Sequence, residues 1–204
     1  PGTDETFFGL RMNITSNPVK FEKANYKKNM ITQMTQPVKR EYDVLLEQNV
    51  AHHYDISEKL YDLFLDKKRQ YSCAYFKNEN DTLETAQENK IDHIIKKLHI
   101  QPNQKVLDIG SGWGTLAIDI AKKTKASVTG ITLSENQLKY SQEKAKELNL
   151  DNQVEFKLID YRQLNEKFDR IVSVGMFEHV GKKFYQTYFN RVSQMLKKDG
   201  VALI

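Results

Sequence analysis

A short apolar segment that runs into three closely spaced glycines constrains the fold of this 204-residue chain more than any other feature. Residues 106–109 have the length and apolar character of a buried strand, and the glycines follow at Gly110, Gly112 and Gly114. Residues 115–123 then predict a helix that carries Leu116, Ala117, Ile120 and Ala121 on one face. A strand, a glycine turn and a helix in this order open a nucleotide-binding α/β sheet, which is therefore the predicted fold.

The spacing of these glycines narrows the class of ligand. It is G-x-G-x-G, whereas the dinucleotide fingerprint G-x-G-x-x-G would need a glycine at Thr115. The lysine and the spacing of a Walker phosphate loop are missing as well. Glycines lack a Cβ and let backbone N–H groups approach a ligand closely. The turn, with Asp108 at the end of its strand, therefore favours S-adenosylmethionine over NAD and ATP.

The composition indicates a globular protein with a well-solvated surface. Hydrophobic residues make up 39% of the chain and charged residues 28%, and no apolar run approaches the ~20 residues of a membrane helix. We interpret the net charge of +4 as a lysine-rich solvated surface, with weak attraction to an anionic membrane as the alternative. Nucleic-acid binding is not predicted, because no compact arginine stripe is present. The single cysteine, Cys73, excludes an internal disulfide and fits a reducing cytoplasm.

The chain divides into an N-terminal segment and one domain. Residues 1–40 are of uncertain order, because Asn, Lys and Thr are common there and Asn17-Pro18 favours a break. Residues 41–204 form the predicted domain, with helices after Pro37 and after an N-cap at Ser57. A clearer helical stripe comprises Ile91, Ile94, Ile95 and Leu98. Without an initial methionine, the natural N-terminus is expected to be missing.

Strands and helices then alternate to the end of the chain. The predicted strands are residues 106–109, 127–131, 154–158, 170–174 and 201–204. Ser134 is a predicted N-cap with Gln137 three residues on, opening a helix to Leu148. Asp199-Gly200 is a predicted turn before the last strand. This alternation predicts a doubly wound, mostly parallel sheet with helices on both faces. Since an open sheet ending here would expose an edge, we expect a truncated C-terminus.

In an open α/β sheet, ligands bind beyond the carboxyl ends of the strands. That rule brings four stretches together, at residues 108–114, 132–137, 160–162 and 175–179. Gln137 is suited to ribose hydroxyls, Asp160 to an adenine amino group and Tyr161 to the face of its ring. The alternative is structural: Asp160 begins a polar turn and Tyr161 covers the core.

Other chemistries find less support in the sequence. No spaced His/Cys set accompanies Glu178-His179, so no metal site is predicted. Of the adjacent His52 and His53, one is predicted to be structural. A Ser-His-Asp hydrolase is disfavoured because no G-x-S-x-G elbow is present. Cys73 has two interpretations, a buried small hydrophobe or part of a polar pocket floor, and composition leaves both open.

Five stretches together resemble the cyclopropane-fatty-acid synthase family of S-adenosylmethionine-dependent methyltransferases. They are AHHYDIS (51–57), YSCAYF (71–76), VLDIGSGWGTLA (106–117), GITLSENQ (130–137) and FDRIVSVGMFEHVG (168–181). The motifs YSCAYF and MFEH also resemble those of plant alkaloid N-methyltransferases. Gly181 and the AHHYDIS stretch instead favour the lipid-modifying synthases. The resemblance implies a Rossmann-like class I methyltransferase fold, preceded by a helical N-terminal segment.

The resemblance also implies roles for individual residues. Contacts to the S-adenosylmethionine cofactor would come from Tyr71, Ser72, Gly110, Gly112, Thr132, Gln137, Tyr161 and Arg162, and the topology adds Asp108, Gly114 and Asp160. The family uses bicarbonate as the base, and its pocket here would include Cys73 and Glu178. A histidine and a tyrosine of that pocket would lie beyond Ile204.

The implied reaction transfers a methylene group to the cis double bond of unsaturated phospholipid acyl chains, forming a cyclopropane ring through a carbocation. The enzyme would be cytoplasmic and peripheral to the inner face of the membrane, and a homodimer is one option for its assembly. Three alternatives stay open: a small-molecule N-methyltransferase, a fatty-acid methyltransferase that stops before ring closure, and a non-catalytic adenosyl-binding module.

Overall fold

The computed structural model describes residues 11–12 and 58–204. The helices are α1 (Glu58–Phe64), α2 (Leu83–Leu98), α3 (Thr115–Thr124), α4 (Glu135–Glu147) and α5 (Tyr185–Met195). The strands are β1 (Arg11–Met12), β2 (Lys105–Ile109), β3 (Ser127–Thr132), β4 (Val154–Leu158), β5 (Phe168–Val172) and β6 (Leu196–Leu203). The predicted helix after Pro37, the histidine pair and the N-cap at Ser57 lie outside the described residues. In the described part, no helix is long and apolar enough to cross a membrane.

The predicted doubly wound sheet is confirmed. Its strand order is β1-β6-β5-β2-β3-β4, and the pairs among β2 to β6 are parallel, whereas β1 runs antiparallel to β6. From β2 in the middle of the sheet, the chain builds outward through β3 to β4 and then crosses to β5 on the other side of β2. The point where the strand order reverses therefore lies between β2 and β5, which is where such sheets bind ligands.

Side chains of the central strand alternate between two core layers. Val106 belongs to a layer formed with α2 and α3, which includes Ile94, Leu98 and Ile120. Leu107 and Ile109 point to the opposite layer, formed with α5 through Tyr188, Val192 and Met195. Both faces of the sheet are thus covered by helices. Because side chains on both faces are buried, the strands appear in the sequence as continuous apolar runs.

Helix starts follow local capping chemistry. The hydroxyl oxygen of Ser134 accepts a hydrogen bond from the backbone N–H of Gln137 at 3.3 Å, so the predicted N-cap is confirmed. Helix α4 ends at Glu147, one residue before the predicted end. Thr82 caps α2 in the same way through the N–H of Thr85, a cap that the sequence analysis did not identify.

Two predicted details of the last strands are wrong. Strand β5 begins at Phe168, before the predicted residue 170, because Phe168 pairs with Leu196. The predicted turn at residues 199–200 is part of β6. Val201 pairs with Arg170, so β6 carries more residues than β5 between the two pairings. The extra residues are accommodated by an irregular register rather than by a chain reversal.

Packing at Gly130 yields the first prediction. A Cβ there would lie 2.6 Å from the ring of Phe156 and 3.0 Å from the Cβ of Ser111. We expect Gly130→Ala to lower the free energy of unfolding by about 1–3 kcal/mol, because the aromatic ring must move. Urea denaturation measures the loss. Adding Phe156→Leu should reduce the cost of the alanine, and an unchanged midpoint for Gly130→Ala would contradict this packing argument.

Candidate active site

The candidate site lies at the switch point, between the carboxyl ends of β2 and β5. The glycine turn follows β2, and the loop that carries Glu178 follows β5. The two loops meet directly, since a Cβ on Gly110 would lie only 2.9 Å from the Cβ and Cγ of Met176. We call the space beside this contact the site crevice.

The glycine turn leaves open space at one position only. Gly110, Gly112 and Gly114 have φ angles of +80°, +53° and +83°, a region that other residues rarely adopt. A Cβ at Gly114 would lie 2.6 Å from the Cβ of Ser141, so close packing with α4 requires this glycine. A Cβ at Gly112 would meet nothing within 4 Å. Gly112 is therefore the place where a ligand can approach the backbone.

Asp108 carries a buried carboxylate without a counterpart. Its side chain is 2% exposed, and its Oδ2 atom has no hydrogen-bond partner among the described residues. Burial raises the pKa of Asp108 from 3.8 to about 7. An ionised carboxylate in this position is unfavourable until a donor reaches it, so the end of β2 is suited to a cationic or hydrogen-bond-donating ligand group.

Thr132 and Gln137 form a buried pair after β3. The hydroxyl of Thr132 donates to Oε1 of Gln137 at 2.9 Å and accepts from the backbone N–H of Ser134 at 3.2 Å. Gln137 is 5% exposed. The pair orients the amide of Gln137, leaving its nitrogen as the donor available to a ligand.

After β4, Asp160 and Arg162 are paired with each other. Oδ1 of Asp160 accepts from the backbone N–H of Arg162 at 2.7 Å, and Oδ2 accepts from Nη2 of Arg162 at 2.6 Å. The ring of Tyr161 packs edge-on against Tyr188, with 5.2 Å between ring centroids. The structural interpretation of this stretch, a polar turn with Tyr161 covering core, is confirmed. Contacts from these three residues to an adenosyl ligand stay a prediction.

Residues 71–73, which we call the 71–73 segment, pack against helix α2. Nζ of Lys90 donates to the hydroxyl of Ser72 at 2.7 Å, and Nε2 of Gln87 donates to the carbonyl oxygen of Ser72 at 3.0 Å. Tyr71 is half exposed. Cys73 is exposed too, so its interpretation as a buried small hydrophobe is wrong. Within the segment it is Ser72 whose hydroxyl and carbonyl oxygen bind the helix.

The 71–73 segment meets the loop after β5 at Gly175. The position of a Cβ on Gly175 would lie 3.8 Å from the Cβ of Ser72, 3.9 Å from the carbonyl oxygen of Tyr71 and 3.9 Å from Oε1 of Glu178. Glu178 is exposed in the short 3₁₀ turn Phe177–His179. The fold thus brings these sequence-predicted groups to one side of the crevice. Among residues 11–12 and 58–204, no three metal-binding side chains form a cluster.

An aromatic cluster supports the glycine turn from behind. Trp113 is 3% exposed and packs edge-on against Tyr61 at 5.6 Å and Tyr140 at 5.3 Å between centroids. The guanidinium carbon of Arg69 lies 5.2 Å from the Trp113 ring and 4.6 Å from the Tyr140 ring, a cation–π arrangement. Trp113 is therefore a packing residue that joins the segment before α2 to the turn.

Sequence reasoning missed the buried polar residues of α2. Gln87 is 3% exposed and Lys90 2% exposed. Burial lowers the pKa of Lys90 from 10.5 to about 8. The signal was present, because these two residues share the i, i+3, i+4 register of Ile91 and Ile94 and so fall on the buried face of the helix.

The order of the five parallel strands, with a glycine turn at the switch point, defines the Rossmann-like class I methyltransferase fold. A solved structure, mycolic acid cyclopropane synthase CmaA1 complexed with S-adenosylhomocysteine and CTAB, matches with a TM-score of 0.74 and 39% identity. The match covers 76% of this chain and 55% of that one. The chain belongs to the mycolic acid cyclopropane synthetase family, whose model matches residues 43–204.

Two relatives add detail. The cyclopropane-fatty-acyl-phospholipid synthase of Escherichia coli strain K12 is 49% identical over 152 residues, which are 74% of this chain and 38% of the relative. A probable fatty acid methyltransferase of Pseudomonas putida is 39% identical over 170 residues, which are 82% of this chain and 43% of the relative. The chain thus spans less than half the length of these two relatives.

We expect Asp108→Asn to stabilise the ligand-free protein at pH 8, because the amide carries no charge to bury. The shift of the Asp108 pKa from 3.8 to about 7 corresponds to at most about 4 kcal/mol. The unfolded chain ionises this carboxyl above pH 3.8, whereas the native protein keeps it protonated up to about pH 7. The wild-type free energy of unfolding therefore falls across that window, relative to the variant.

Urea unfolding of both proteins at several pH values measures the effect. Their difference should be small below pH 3.8, grow up to about pH 7 and then stay constant. Asp151→Asn, at an exposed position, is the control and should show no such growth. A stability difference for Asp108→Asn that is independent of pH would contradict the buried carboxylate.

Proposed function

We propose that the full-length protein transfers a methylene group from S-adenosylmethionine to the cis double bond of unsaturated phospholipid acyl chains, forming a cyclopropane ring. The observation that carries this proposal is the meeting of the Tyr71-Ser72-Cys73 segment with the loop of Glu178 at Gly175, beside the glycine turn. Family membership and 49% identity to the E. coli synthase support it.

The glycine turn and Asp108 fit the cofactor. The unpartnered Oδ2 of Asp108 is suited to an ammonium group such as that of the methionine part, which would compensate the buried charge. The open position at Gly112 admits a ligand next to the backbone. We assign Gln137 to the ribose hydroxyls, and Asp160, Tyr161 and Arg162 to the adenine side. The S-adenosylhomocysteine in the CmaA1 structure supports the same class of ligand.

S-adenosylmethionine supplies a sulfonium methyl group that is electrophilic enough for an olefin to attack. A carbon–carbon bond then forms as the carbon–sulfur bond breaks, and the acyl chain is left as a carbocation. Ring closure would then need loss of a proton from the added methyl group, and a bicarbonate held by Glu178 and Cys73 would supply its acceptor. Because a carbocation reacts readily with water, the residues around the crevice must also exclude solvent.

The side chains of the crevice have separate tasks in this scheme. Glu178 and the exposed thiol of Cys73 would hold the bicarbonate, and Glu178 positions the base rather than removing the proton itself. Phe177, which precedes Glu178 in the chain, packs against Tyr185 and Tyr188, with 4.6 and 5.1 Å between ring centroids. These rings form an aromatic cluster next to Glu178. Aromatic faces such as that of Tyr71 stabilise nearby positive charge.

We further propose that the protein works in the cytoplasm, at the inner face of the membrane, where its substrate lies. Leu63 of α1 is 81% exposed and the adjacent Phe64 is 49% exposed, which supports contact with an apolar phase. The net charge of +4 supports attraction to anionic headgroups.

A fatty-acid methyltransferase that leaves a methyl branch is the second candidate. The name of the P. putida relative, which matches 82% of this chain, favours it. The two functions share the cofactor and the attack on the sulfonium methyl. They differ in which proton the carbocation loses. Loss from the added methyl group closes the ring, whereas loss from a neighbouring chain carbon leaves a methyl-branched olefin. The first of these is the step assigned to the Glu178 side of the crevice.

Incubation with isotopically labelled S-adenosylmethionine and unsaturated phospholipid vesicles, followed by lipid mass spectrometry, tests the proposal. We expect acyl chains to gain one CH₂ and lose the olefin, with no labelling of saturated vesicles. A labelled methyl branch would favour the second candidate. Labelling of amines alone would overturn both lipid functions, and cofactor binding without turnover would indicate a binding module.

Glu178→Gln should lower the rate of ring formation by at least tenfold, because a neutral amide is a weaker partner for the proposed bicarbonate site. Calorimetric affinity for S-adenosylhomocysteine should change less than twofold, since Glu178 is not assigned to the cofactor. Glu143→Gln, at an exposed position of α4, is the matched control and should leave both unchanged. Parallel loss of binding and turnover in Glu178→Gln would count against the assigned role.

A further inference from the structure

Lys90 is a buried cation to which the proposed reaction gives no task. Its residue is 2% exposed, although lysine is almost never fully buried unless paired. The one hydrogen bond of its side chain within the described residues goes from Nζ to the hydroxyl of Ser72 at 2.7 Å. A lysine that only covered the core would keep its ammonium group in water, so its placement against Ser72 needs an explanation.

No carboxylate of the described residues forms an ion pair with Lys90. The carboxylate whose charge interacts with that of Lys90 is Asp66, which is also buried. Its oxygens instead accept from the backbone N–H of Gln70 at 2.7 Å, from Nε2 of Gln70 at 3.0 Å and from the N–H of Lys68 at 3.3 Å. The ammonium group is thus incompletely compensated, which is why burial lowers its pKa to about 8. Stability alone does not account for such a residue.

We propose that Lys90 is a positioning residue of the active site, which holds Ser72 by its hydroxyl and thereby fixes the 71–73 segment against Gly175 and the loop of Glu178. This inference rests on the proposed function for its catalytic consequence. Its structural part, the fixing of the segment, stands independently of the substrate.

Two side chains of α2, one turn apart, converge on Ser72. Gln87 binds its carbonyl oxygen at 3.0 Å, which fixes the path of the backbone, and Lys90 binds its hydroxyl, which fixes the side chain. On the opposite side, the missing Cβ of Gly175 leaves 3.8 Å to the Cβ of Ser72. Ser72 therefore contacts both α2 and the loop after β5. The backbone on either side of it, at Tyr71 and Cys73, is held in place through these contacts.

The charge of Lys90 adds a second effect at the same place. Its ammonium group is held against Ser72, the neighbour of Cys73, so a positive charge lies beside the 71–73 segment. Glu178 and a bound bicarbonate would both bring negative charge to this side of the crevice. A fixed cation nearby reduces the electrostatic repulsion between these two anions.

Three variants test the role of Lys90. Lys90→Met keeps the aliphatic stem and removes the donor and the charge, whereas Lys90→Arg keeps both. Lys96→Met, at an exposed position of the same helix, is the matched control. We expect Lys90→Met to lower kcat at least tenfold, with a melting temperature equal to or above that of the wild type, because an uncompensated charge is no longer buried. Lys90→Arg should recover part of the loss, and Lys96→Met should change neither quantity.

The coupling to Ser72 is measured with a double variant. If Lys90 acts through the Ser72 hydroxyl, Lys90→Met combined with Ser72→Ala should lose no more activity than the more affected single variant. Fully additive losses would overturn the proposed route. A parallel fall of melting temperature and kcat in Lys90→Met would show a merely structural lysine and would also overturn it.

The pH profile supplies a readout specific to the ammonium group. As the pH rises through about 8, Lys90 loses its proton and wild-type kcat should fall, whereas Lys90→Arg stays charged and should lack this decline. Asp66 and Cys73 face Lys90 in both proteins, so the difference between the profiles belongs to residue 90. Identical alkaline profiles would contradict the proposal.

Hydrogen exchange separates this inference from the proposed function. Lys90→Met should raise amide exchange at least tenfold in peptides covering residues 70–76, and leave the sheet unchanged. Lys96→Met should have no effect. If wild-type protein transfers nothing to lipid, the proposed function fails while exchange still decides whether Lys90 fixes the segment. Unchanged exchange in Lys90→Met would overturn the inference, whatever the activity.

Discussion

Two backbone N–H groups of the glycine turn share one acceptor, and the geometry of the site depends on that arrangement. The N–H groups of Gly110 and Ser111 both donate to the carbonyl oxygen of Ile131, at 3.0 and 2.9 Å. These two hydrogen bonds hold the turn against β3 at the point where the chain leaves β2. Asp108 is therefore fixed at the buried end of the strand, and Gly112 is turned toward the open crevice. The other candidate site residues reach the same place only because parallel strands end at one edge.

The site concentrates charges that the fold alone does not compensate. Asp108 is a carboxylate and Lys90 an ammonium group, and burial shifts both of their pKa values toward neutrality. At the pH values where either group is ionised, its burial lowers the free energy of unfolding. The two apolar layers on the faces of the sheet offset that loss. Buried groups that oppose stability are typical of sites prepared for a ligand, since the ligand supplies the missing partner.

The sequence was sufficient for the architecture because local patterns determine it. Apolar runs and glycines predicted strands β2 to β5 to within about two residues, whereas β6 begins at Leu196, well before the predicted residue 201. Ser134 capped its helix as predicted. The turn predicted at residues 199–200 was wrong because the pairing of Leu196 with Phe168, distant in sequence, overrides the local preference.

The site was less accessible to sequence reasoning, because its details depend on contacts between distant residues. Asp160 and Arg162 were assigned to a ligand, but their mutual ion pair depends on the shape of the turn. The exposure of Cys73 and the hydrogen bonds of Ser72 to α2 are tertiary features that no local sequence pattern encodes. The convergence of the candidate stretches at the strand ends was predictable, since it follows from topology alone.

The position of Trp113 gives the molecule a built-in optical probe. It is the one tryptophan of the chain, and it lies next to the glycine turn with Arg69 over one of its faces. Its near-complete burial places the indole in apolar surroundings that a shift of the turn or of the Arg69 segment would alter. Intrinsic fluorescence of the unmodified protein therefore reports on the glycine turn, the loop proposed to hold the cofactor, without any label.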